Sequence, residues 1–178
     1  MQDVVKELHL AKDLNIALVR VDGRLIHGQI LEAWVPFINA RCIIVVNDKV
    51  AADPFLETVM KMAVPSDVDV IISSVDDFIQ HYKYSHGSGK KTIVLFSCIA
   101  DACEAFKRGF RFDRLNIGNV HNNDYKVCCS SSVFLCDNEI TILEDLLKET
   151  GVFVELQVVP KGRPVNIREA LKDYWPKK

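Results

Sequence analysis

The sequence has little excess of either charge and no long apolar segment. Its 22 Lys and Arg residues nearly balance 24 Asp and Glu residues, which leaves a formal net charge of −2. General nucleic-acid binders need a basic surface to displace counterions from phosphates, so this class is not expected. No apolar run approaches the roughly 20 residues that cross a bilayer, and the first residues lack a signal-peptide pattern. We therefore expect a soluble, cytoplasmic protein that binds no nucleic acid.

Motifs for disulfides, structural metals and nucleotides are also missing. The six cysteines include no C-x-x-C pair and their spacings fit no common zinc site, so free thiols and no metal are expected. No G-x-G-x-x-G follows the first strand candidate, which removes the dinucleotide fingerprint. The stretch GSGKKT at 87–92 lacks both the first glycine and the final Ser or Thr of a P-loop. No cofactor is indicated.

Apolar segments of strand length alternate with helical patterns along most of the chain. The strand candidates are rich in β-branched residues and mostly lack strict alternation, which is typical of strands buried on both faces. These candidates lie at 16–21, 42–46, 68–73, 92–97, 114–117, 133–135 and 152–158. Helices are predicted at 28–38, 54–63, 76–84, 100–108 and 138–150, with further helical patterns at 3–12 and 166–174.

This order of elements predicts an α/β fold. Repeated strand–helix–strand units build a doubly wound, mainly parallel sheet flanked by helices, which is a three-layer sandwich. No linker or repeat divides the chain, so residues 1–178 are expected to form a single domain. Its core covers about 14–160, preceded by a short N-terminal helix and followed by a basic C-terminal extension.

Ionisable residues cluster where the first predicted strand ends. The segment VRVDGRLIHGQ places Arg20, Asp22, Arg24 and His27 directly before a helix predicted to begin at Gly28. Ligands of open α/β sheets bind at the carboxyl ends of strands, and helix N-termini favour anions. Neighbouring cations favour a neutral imidazole, which leaves one ring nitrogen free as a nucleophile. The segment therefore suggests a histidine that accepts or donates a phosphoryl group.

On the residues alone, a second interpretation stays open. His27 would then cap a turn, with the arginines paired to Asp22 or to surface carboxylates. His121 follows a later predicted strand and is placed to line the same crevice, although an ordinary loop histidine is the simpler interpretation. The remaining histidines lie in predicted surface segments and carry no functional argument; they are His9, His81 and His86.

The segment VRVDGRLIHGQILEAW closely resembles the phosphorylation-site segment of a known family, the IIB components of the mannose/fructose/sorbose class of the bacterial sugar phosphotransferase system. The resemblance continues, in the family's order, through IIVVNDKVAADPFLETVMKMAVPSDVDV, RLNIGNVH and LLKETGVFVELQVVP, and so covers roughly residues 14–160. The chain departs from the family at Gly23, where members often carry a second acid, and at 118–120. The cysteine-rich stretch 122–136 also looks unlike the usual members.

The resemblance implies a phosphocarrier of the protein-N-phosphohistidine–sugar phosphotransferase class, with the family's three-layer α/β fold and no metal or organic cofactor. A IIA phosphohistidine protein or domain would pass a phosphoryl group to His27. The group would then move to a sugar, while the membrane components IIC and IID translocate that sugar. The family's motif arginine, which matches Arg24, is associated with the transfer to sugar. Asp22 is expected to orient the site.

The remaining polar groups of the motif are expected to bind the phosphate. They are the backbone amides of Gly28 and Gln29 at the start of the helix and the side chain of Arg20. Two alternatives to the transport role stay open. One is a regulatory phosphoprotein modified at His27 without sugar transport, and the other is a scaffold in which His27 is structural. The altered loop 118–125 motivates the first of these. The sequence leaves open the sugar, the phosphorylated nitrogen and the oligomeric state, a homo-oligomer included.

Overall fold

The computed structural model describes residues 14–82 and 89–175. Its strands are β1 (Leu14–Asp22), β2 (Cys42–Val46), β3 (Asp69–Ser73), β4 (Lys90–Phe96), β5 (Arg114–Asn119), β6 (Val127–Ser130), β7 (Val133–Leu135), β8 (Phe153–Leu156) and β9 (Val165–Asn166). A π-helical segment (Ile30–Trp34) continues into α1 (Val35–Ile38), and the later helices are α2 (Asp48–Ala51), α3 (Pro54–Met62), α4 (Val75–His81), α5 (Ile99–Lys107), α6 (Asp137–Thr150) and α7 (Ile167–Ala170).

A seven-stranded sheet in the order β3-β2-β4-β1-β5-β8-β9 forms the middle of the molecule. Every neighbouring pair is parallel except β8 and β9 at one edge, which are antiparallel. Strand β1 lies between β4 and β5, so its carboxyl end opens at the centre of the sheet edge. Both the mainly parallel sheet and the flanking helices confirm the predicted fold class.

Two apolar cores lie on opposite faces of this sheet. Alternate side chains of β2 divide between them: Ile43 and Val45 pack with the π-helical segment and α3, while Ile44 packs with α4, α5 and α6. This division follows from the two-residue period of a strand. Because both faces are covered, the strand is buried along its whole length, which explains why its sequence shows no polar alternation.

Two parts of the chain fold differently from the sequence-based prediction. The predicted strand at 133–135 does not join the main sheet but pairs antiparallel with β6 in a separate hairpin. The tail after Pro160 is more than a basic extension, because β9 pairs with β8 and the side chains of Ile167 and Leu171 are fully buried.

Some predicted features lie outside the described residues. They are the helical pattern at 3–12, the last residues of the predicted helix 76–84, and most of the loop around 85–91. In the part of the chain that the structure covers, no helix is both long and apolar enough to span a membrane.

Candidate functional site

The loop between β1 and the following helix is folded tightly against the end of β5. The Gly23 N–H donates to the Asn119 carbonyl at 2.9 Å, and the Leu25 N–H donates to the Asp22 carbonyl at 2.9 Å. Leu25 has φ 54°, a left-handed conformation that is costly for a branched side chain. Its buried side chain, 5% exposed in the core beneath the loop, offsets that cost. The turn therefore brings His27 back over the end of its own strand.

His27 is held by the buried carboxylate of Asp22. The His27 Nε2 and the Asp22 Oδ2 are 3.0 Å apart, and the Asp22 side chain is fully buried. The same Oδ2 accepts a hydrogen bond from the Arg20 guanidinium at 3.0 Å. An ionised carboxylate can only accept hydrogen bonds, so a neutral imidazole in this contact with an ionised Asp22 carries its proton on Nε2. Nδ1 then carries the free lone pair, and no described residue is hydrogen-bonded to it.

Arg24 lies on the solvent side of the same carboxylate. Its backbone N–H donates to the Asp22 Oδ1 at 3.2 Å, and its Nε lies 3.5 Å from that atom. Its side chain is 45% exposed, and its Nη2 donates to the Gln29 Oε1 at 2.9 Å. One positive guanidinium therefore stands at the mouth of the site with N–H groups still available to an anion.

The helix that follows begins at Gly28, directly after His27. The His27 carbonyl accepts hydrogen bonds from the N–H groups of Ile30 at 2.9 Å and Leu31 at 3.1 Å. The N–H groups of Gly28 and Gln29 precede these bonds and have no acceptor among the described residues. Free N–H groups at the start of a helix are suited to phosphate oxygens. The structure thus brings Arg24, Gly28 and Gln29 together around His27, as the sequence suggested.

Arg20 occupies a different place from the one expected for a phosphate ligand. Its side chain is 0% exposed, and its Nη groups donate to Asp22, to Asn116 and to the backbone carbonyls of Gln157 and Val158. Burial lowers the pKa of the Arg20 guanidinium, and the Asp22 charge opposes that shift. Because these bonds point into the protein, we correct its assignment: Arg20 lies beneath Asp22 instead of facing a phosphate.

Sequence reasoning missed the groups that surround Arg20. Trp34 stacks on the guanidinium at 5.0 Å and donates its Nε1–H to the Val158 carbonyl at 3.1 Å. Asn116 also donates to the side chains of Glu155 and Gln157. Backbone carbonyls and a neutral amide leave no signal in a sequence, since their role depends on a buried cation reaching them.

The other histidines and the cysteines lie away from the His27 cluster. The exposed His121 ring contacts Phe134 of the β6–β7 hairpin at 5.4 Å between centroids, and the Nδ1 of His81 is bonded to the Asp77 carbonyl. All six cysteines are free. Burial raises the pKa of Cys42 and Cys103 to about 12, and that of Cys98 and Cys129 to about 11. In residues 14–82 and 89–175, no three His, Cys, Asp or Glu side chains are grouped to hold a metal.

Comparison with known proteins finds one matching family, together with related proteins and solved structures. The family described as "PTS system sorbose subfamily IIB component" matches residues 16–177. The sorbose-specific EIIB component of Lacticaseibacillus casei is 33% identical over 162 residues, which are 91% of this chain and 98% of that protein. The crystal structure of the IIBSor domain of the sorbose permease from Klebsiella pneumoniae superposes with a TM-score of 0.79 at 29% identity, over 89% of this chain and 97% of that one.

A further relative has a longer chain. The mannose-specific EIIAB component of Escherichia coli is 28% identical over 144 residues, which are 81% of this chain but 44% of that protein.

Proposed function

The chain belongs to the sorbose subfamily of IIB components of the phosphotransferase system, and from this premise we propose that it is a phosphocarrier whose His27 accepts a phosphoryl group from a IIA phosphohistidine and passes it to a sugar. The observation that supports this proposal most directly is the 3.0 Å contact between His27 Nε2 and the buried Asp22. It assigns the ring proton to Nε2 and leaves Nδ1 as the nucleophile, so Nδ1 is the nitrogen we expect to be phosphorylated.

The transfer onto His27 needs no external proton. The Nδ1 lone pair attacks phosphorus while the bond from phosphorus to the IIA imidazole breaks, and the bonding electrons return to that imidazole as a lone pair. The His27 ring then carries both the Nδ1–P bond and the Nε2–H, and Asp22 stabilises its positive charge. In the second transfer a sugar hydroxyl oxygen attacks phosphorus, the Nδ1–P bond breaks, and the hydroxyl proton is released to solvent.

In both steps, the groups around Nδ1 stabilise the negative charge on the phosphoryl oxygens. The transferring phosphoryl oxygens carry negative charge, which the exposed Arg24 guanidinium and the N–H groups of Gly28 and Gln29 are placed to receive. Asp22 orients the imidazole from below. These side chains and amides supply the positioning and the charge stabilisation that both transfers require.

The partners follow from the same proposal. The E. coli relative is named as a EIIAB component, which supports a IIA protein as the donor to this chain. The onward acceptor is a sugar presented by the membrane components IIC and IID, so we place the protein at the cytoplasmic side of the membrane. The relatives are named for different sugars, sorbose for one and mannose for another.

Phosphate incorporation tests this function. The wild-type chain and His27→Ala are mixed with phosphoenolpyruvate, enzyme I, the histidine carrier protein and a competent IIA, and intact masses are read at alkaline pH. We expect one phosphate on the wild type, lost in acid and absent from His27→Ala. His121→Ala, which removes a histidine at the end of the neighbouring strand, should be phosphorylated like the wild type.

Two results would contradict the proposal. The first is no phosphate on the wild type under conditions in which another IIB component accepts one; the second is phosphate on His27→Ala. Membrane vesicles containing IIC and IID then test the onward step. Phosphorylation of His27 without any sugar phosphate in these vesicles would favour the regulatory phosphoprotein instead.

A further inference from the structure

The buried guanidinium of Arg20 links three segments of the chain: its own strand β1, strand β5 and the stretch after β8. Its Nη1 donates to the Asn116 side chain on β5 and to the Gln157 carbonyl at 2.7 Å. Its Nη2 donates to the Asp22 Oδ2 at 3.0 Å and to the Val158 carbonyl at 3.2 Å. These four bonds reach three stretches of the chain, so the guanidinium plane is fixed from several directions.

Two further features preserve this position. The Trp34 ring lies 5.0 Å from the guanidinium carbon, and its Nε1–H bonds the same Val158 carbonyl that Arg20 uses. Gly118 on β5 leaves space for the guanidinium. A Cβ at position 118 would lie at far less than contact distance from the terminal atoms of Arg20. A residue with any side chain at 118 therefore cannot coexist with Arg20 in this place.

A buried ion pair is weak evidence for a stabilising role, because the cost of burying two charges can exceed their attraction. The pair of Arg20 and Asp22 has a second consequence, since the carboxylate also faces His27 Nε2. Without Arg20, the buried carboxylate would keep only the half-exposed Arg24 guanidinium, 3.5 Å from its Oδ1, as a countercharge, and burial would favour its neutral form, protonated from solvent. A neutral acid donates a hydrogen bond to Nε2 only when Nε2 carries no proton, so the single proton of the neutral imidazole would then lie on Nδ1 and remove its nucleophilic lone pair.

We propose that Arg20 is a positioning residue for phosphoryl transfer: by holding Asp22 as an acceptor it sets the tautomer of His27, and the carbonyls of Gln157 and Val158 hold Arg20. The inference rests on the phosphocarrier function proposed above. It extends the working site to the segment after β8, whose Gln157 and Val158 carbonyls accept hydrogen bonds from Arg20.

The test combines ring-nitrogen NMR with transfer kinetics on the full chain. Two-bond ¹H–¹⁵N spectra report which nitrogen of His27 carries the proton, and they need no phosphorylation. In Arg20→Met we expect the proton on Nδ1 and a loss of at least about 100-fold in the rate of acceptance from phospho-IIA at neutral pH. Raising the pH ionises Asp22, so this variant should recover activity as pH rises, more steeply than the wild type. Arg20→Lys, which keeps the charge, should recover part of the rate.

Gly118→Ala provides an independent variant, because it displaces the guanidinium while Arg20, Asp22 and His27 stay in the sequence. It should show the Nδ1–H tautomer and the same pH dependence as Arg20→Met. The matched control is Leu143→Ala, which removes a fully buried side chain of α6 in the opposite core. It should lower stability without changing the His27 tautomer.

The outcomes separate the two proposals. If the wild type accepts phosphate but Arg20→Met and Gly118→Ala both keep the Nε2–H tautomer and the wild-type pH profile, the positioning role is overturned. If Arg20→Met does not fold, Gly118→Ala decides by the same two measurements. If the wild type accepts no phosphate, the carrier function fails, while the NMR comparison still tests the link from Arg20 to His27.

Discussion

At the scale of single residues, the site depends on how one carboxylate is shared. Asp22 is fully buried, yet its two oxygens face the Arg20 guanidinium, the His27 imidazole and the backbone N–H of Arg24. A carboxylate has about four lone-pair sites, so it can accept from all three groups. Its burial is tolerable because each of these contacts replaces a hydrogen bond lost from water.

Arg24 gives the first prediction at this scale. Its guanidinium is half-exposed beside the nucleophile, so it should act on the charge of the transferring phosphoryl group more than on folding. We expect Arg24→Gln to reduce the rate of sugar phosphorylation in vesicles by about 100-fold while changing the free energy of unfolding by less than about 1 kcal/mol. A stopped-assay measurement of sugar phosphate, paired with urea unfolding, checks both values.

The control for Arg24 is another exposed arginine. Arg108 on the far layer pairs with Asp76 at the surface, and Arg108→Gln should leave the transfer rate unchanged. Equal losses in the two variants would mean that Arg24 contributes only general surface charge.

At the scale of elements, two helices begin or end at local capping signals in the sequence. The Asp53 Oδ1 accepts from the N–H groups of Phe55 at 2.9 Å and Leu56 at 3.2 Å, with Pro54 at the first helical position. Gly151 ends α6 with φ 72°. Both motifs act over a few neighbouring residues, so they can be recognised without knowing what the helix contacts.

Strands and helices were harder to predict where the pattern of apolar residues is irregular. Strand β7 was predicted, but its partner β6 was missed because Cys128, Cys129 and Ser130 show neither alternation nor β-branched enrichment. The predicted helix from 28 to 38 contains a π-helical segment at 30–34. Since a π turn adds one residue to an otherwise helical pattern, hydrophobic periodicity does not reveal it.

The cap of α3 gives a prediction at the element scale. No residue of α3 is fully buried, so its first turn relies on local hydrogen bonds. Asp53→Ala should destabilise the protein by about 1 kcal/mol and increase amide exchange at Phe55 and Leu56. Asp53→Asn, which keeps a capping oxygen, should stay within a few tenths of a kcal/mol of the wild type. Urea unfolding and hydrogen exchange make the comparison; equal losses in both variants would exclude a capping role.

At the scale of the whole molecule, stability comes from two cores and from segments that return late in the chain. The tail places Ile167 and Leu171 in the core behind the sheet, and the stretch after β8 supplies the carbonyls that hold Arg20. The part of the chain that follows β8 therefore contributes side chains to the apolar core and carbonyls that hold Arg20.

Buried thiols give a prediction for the stability of the whole chain. Burial raises the pKa of Cys42 from its ordinary value of 9.0 to about 12. Below pH 9 both the folded and the unfolded thiol are protonated, so the full stability is present. Between pH 9 and 12 only the unfolded chain releases the proton, and stability falls by about 1.4 kcal/mol per pH unit for this group.

Urea unfolding at pH 8 and pH 10.5 measures this loss. Cys42→Ala should lose less stability between the two pH values than the wild type does, by about 1 to 2 kcal/mol. Val154→Ala, a truncation of another buried strand residue, should be less stable at both pH values but keep the wild-type difference. Parallel losses in Cys42→Ala and the wild type would show that the thiol does not cause the effect.

The sequence by itself determined which segments form the central strands and helices, and that Asp22, Arg24 and His27 lie close together at the carboxyl end of the first strand. These features depend on residue type and near neighbours, which a sequence displays directly. Only the tertiary structure decided that Arg20 lies beneath Asp22, that Trp34, Asn116 and the carbonyls after β8 hold it, and that Nδ1 of His27 is free. Those contacts join residues up to 138 positions apart, and a buried charge selects its partners by where the folded backbone places their dipoles.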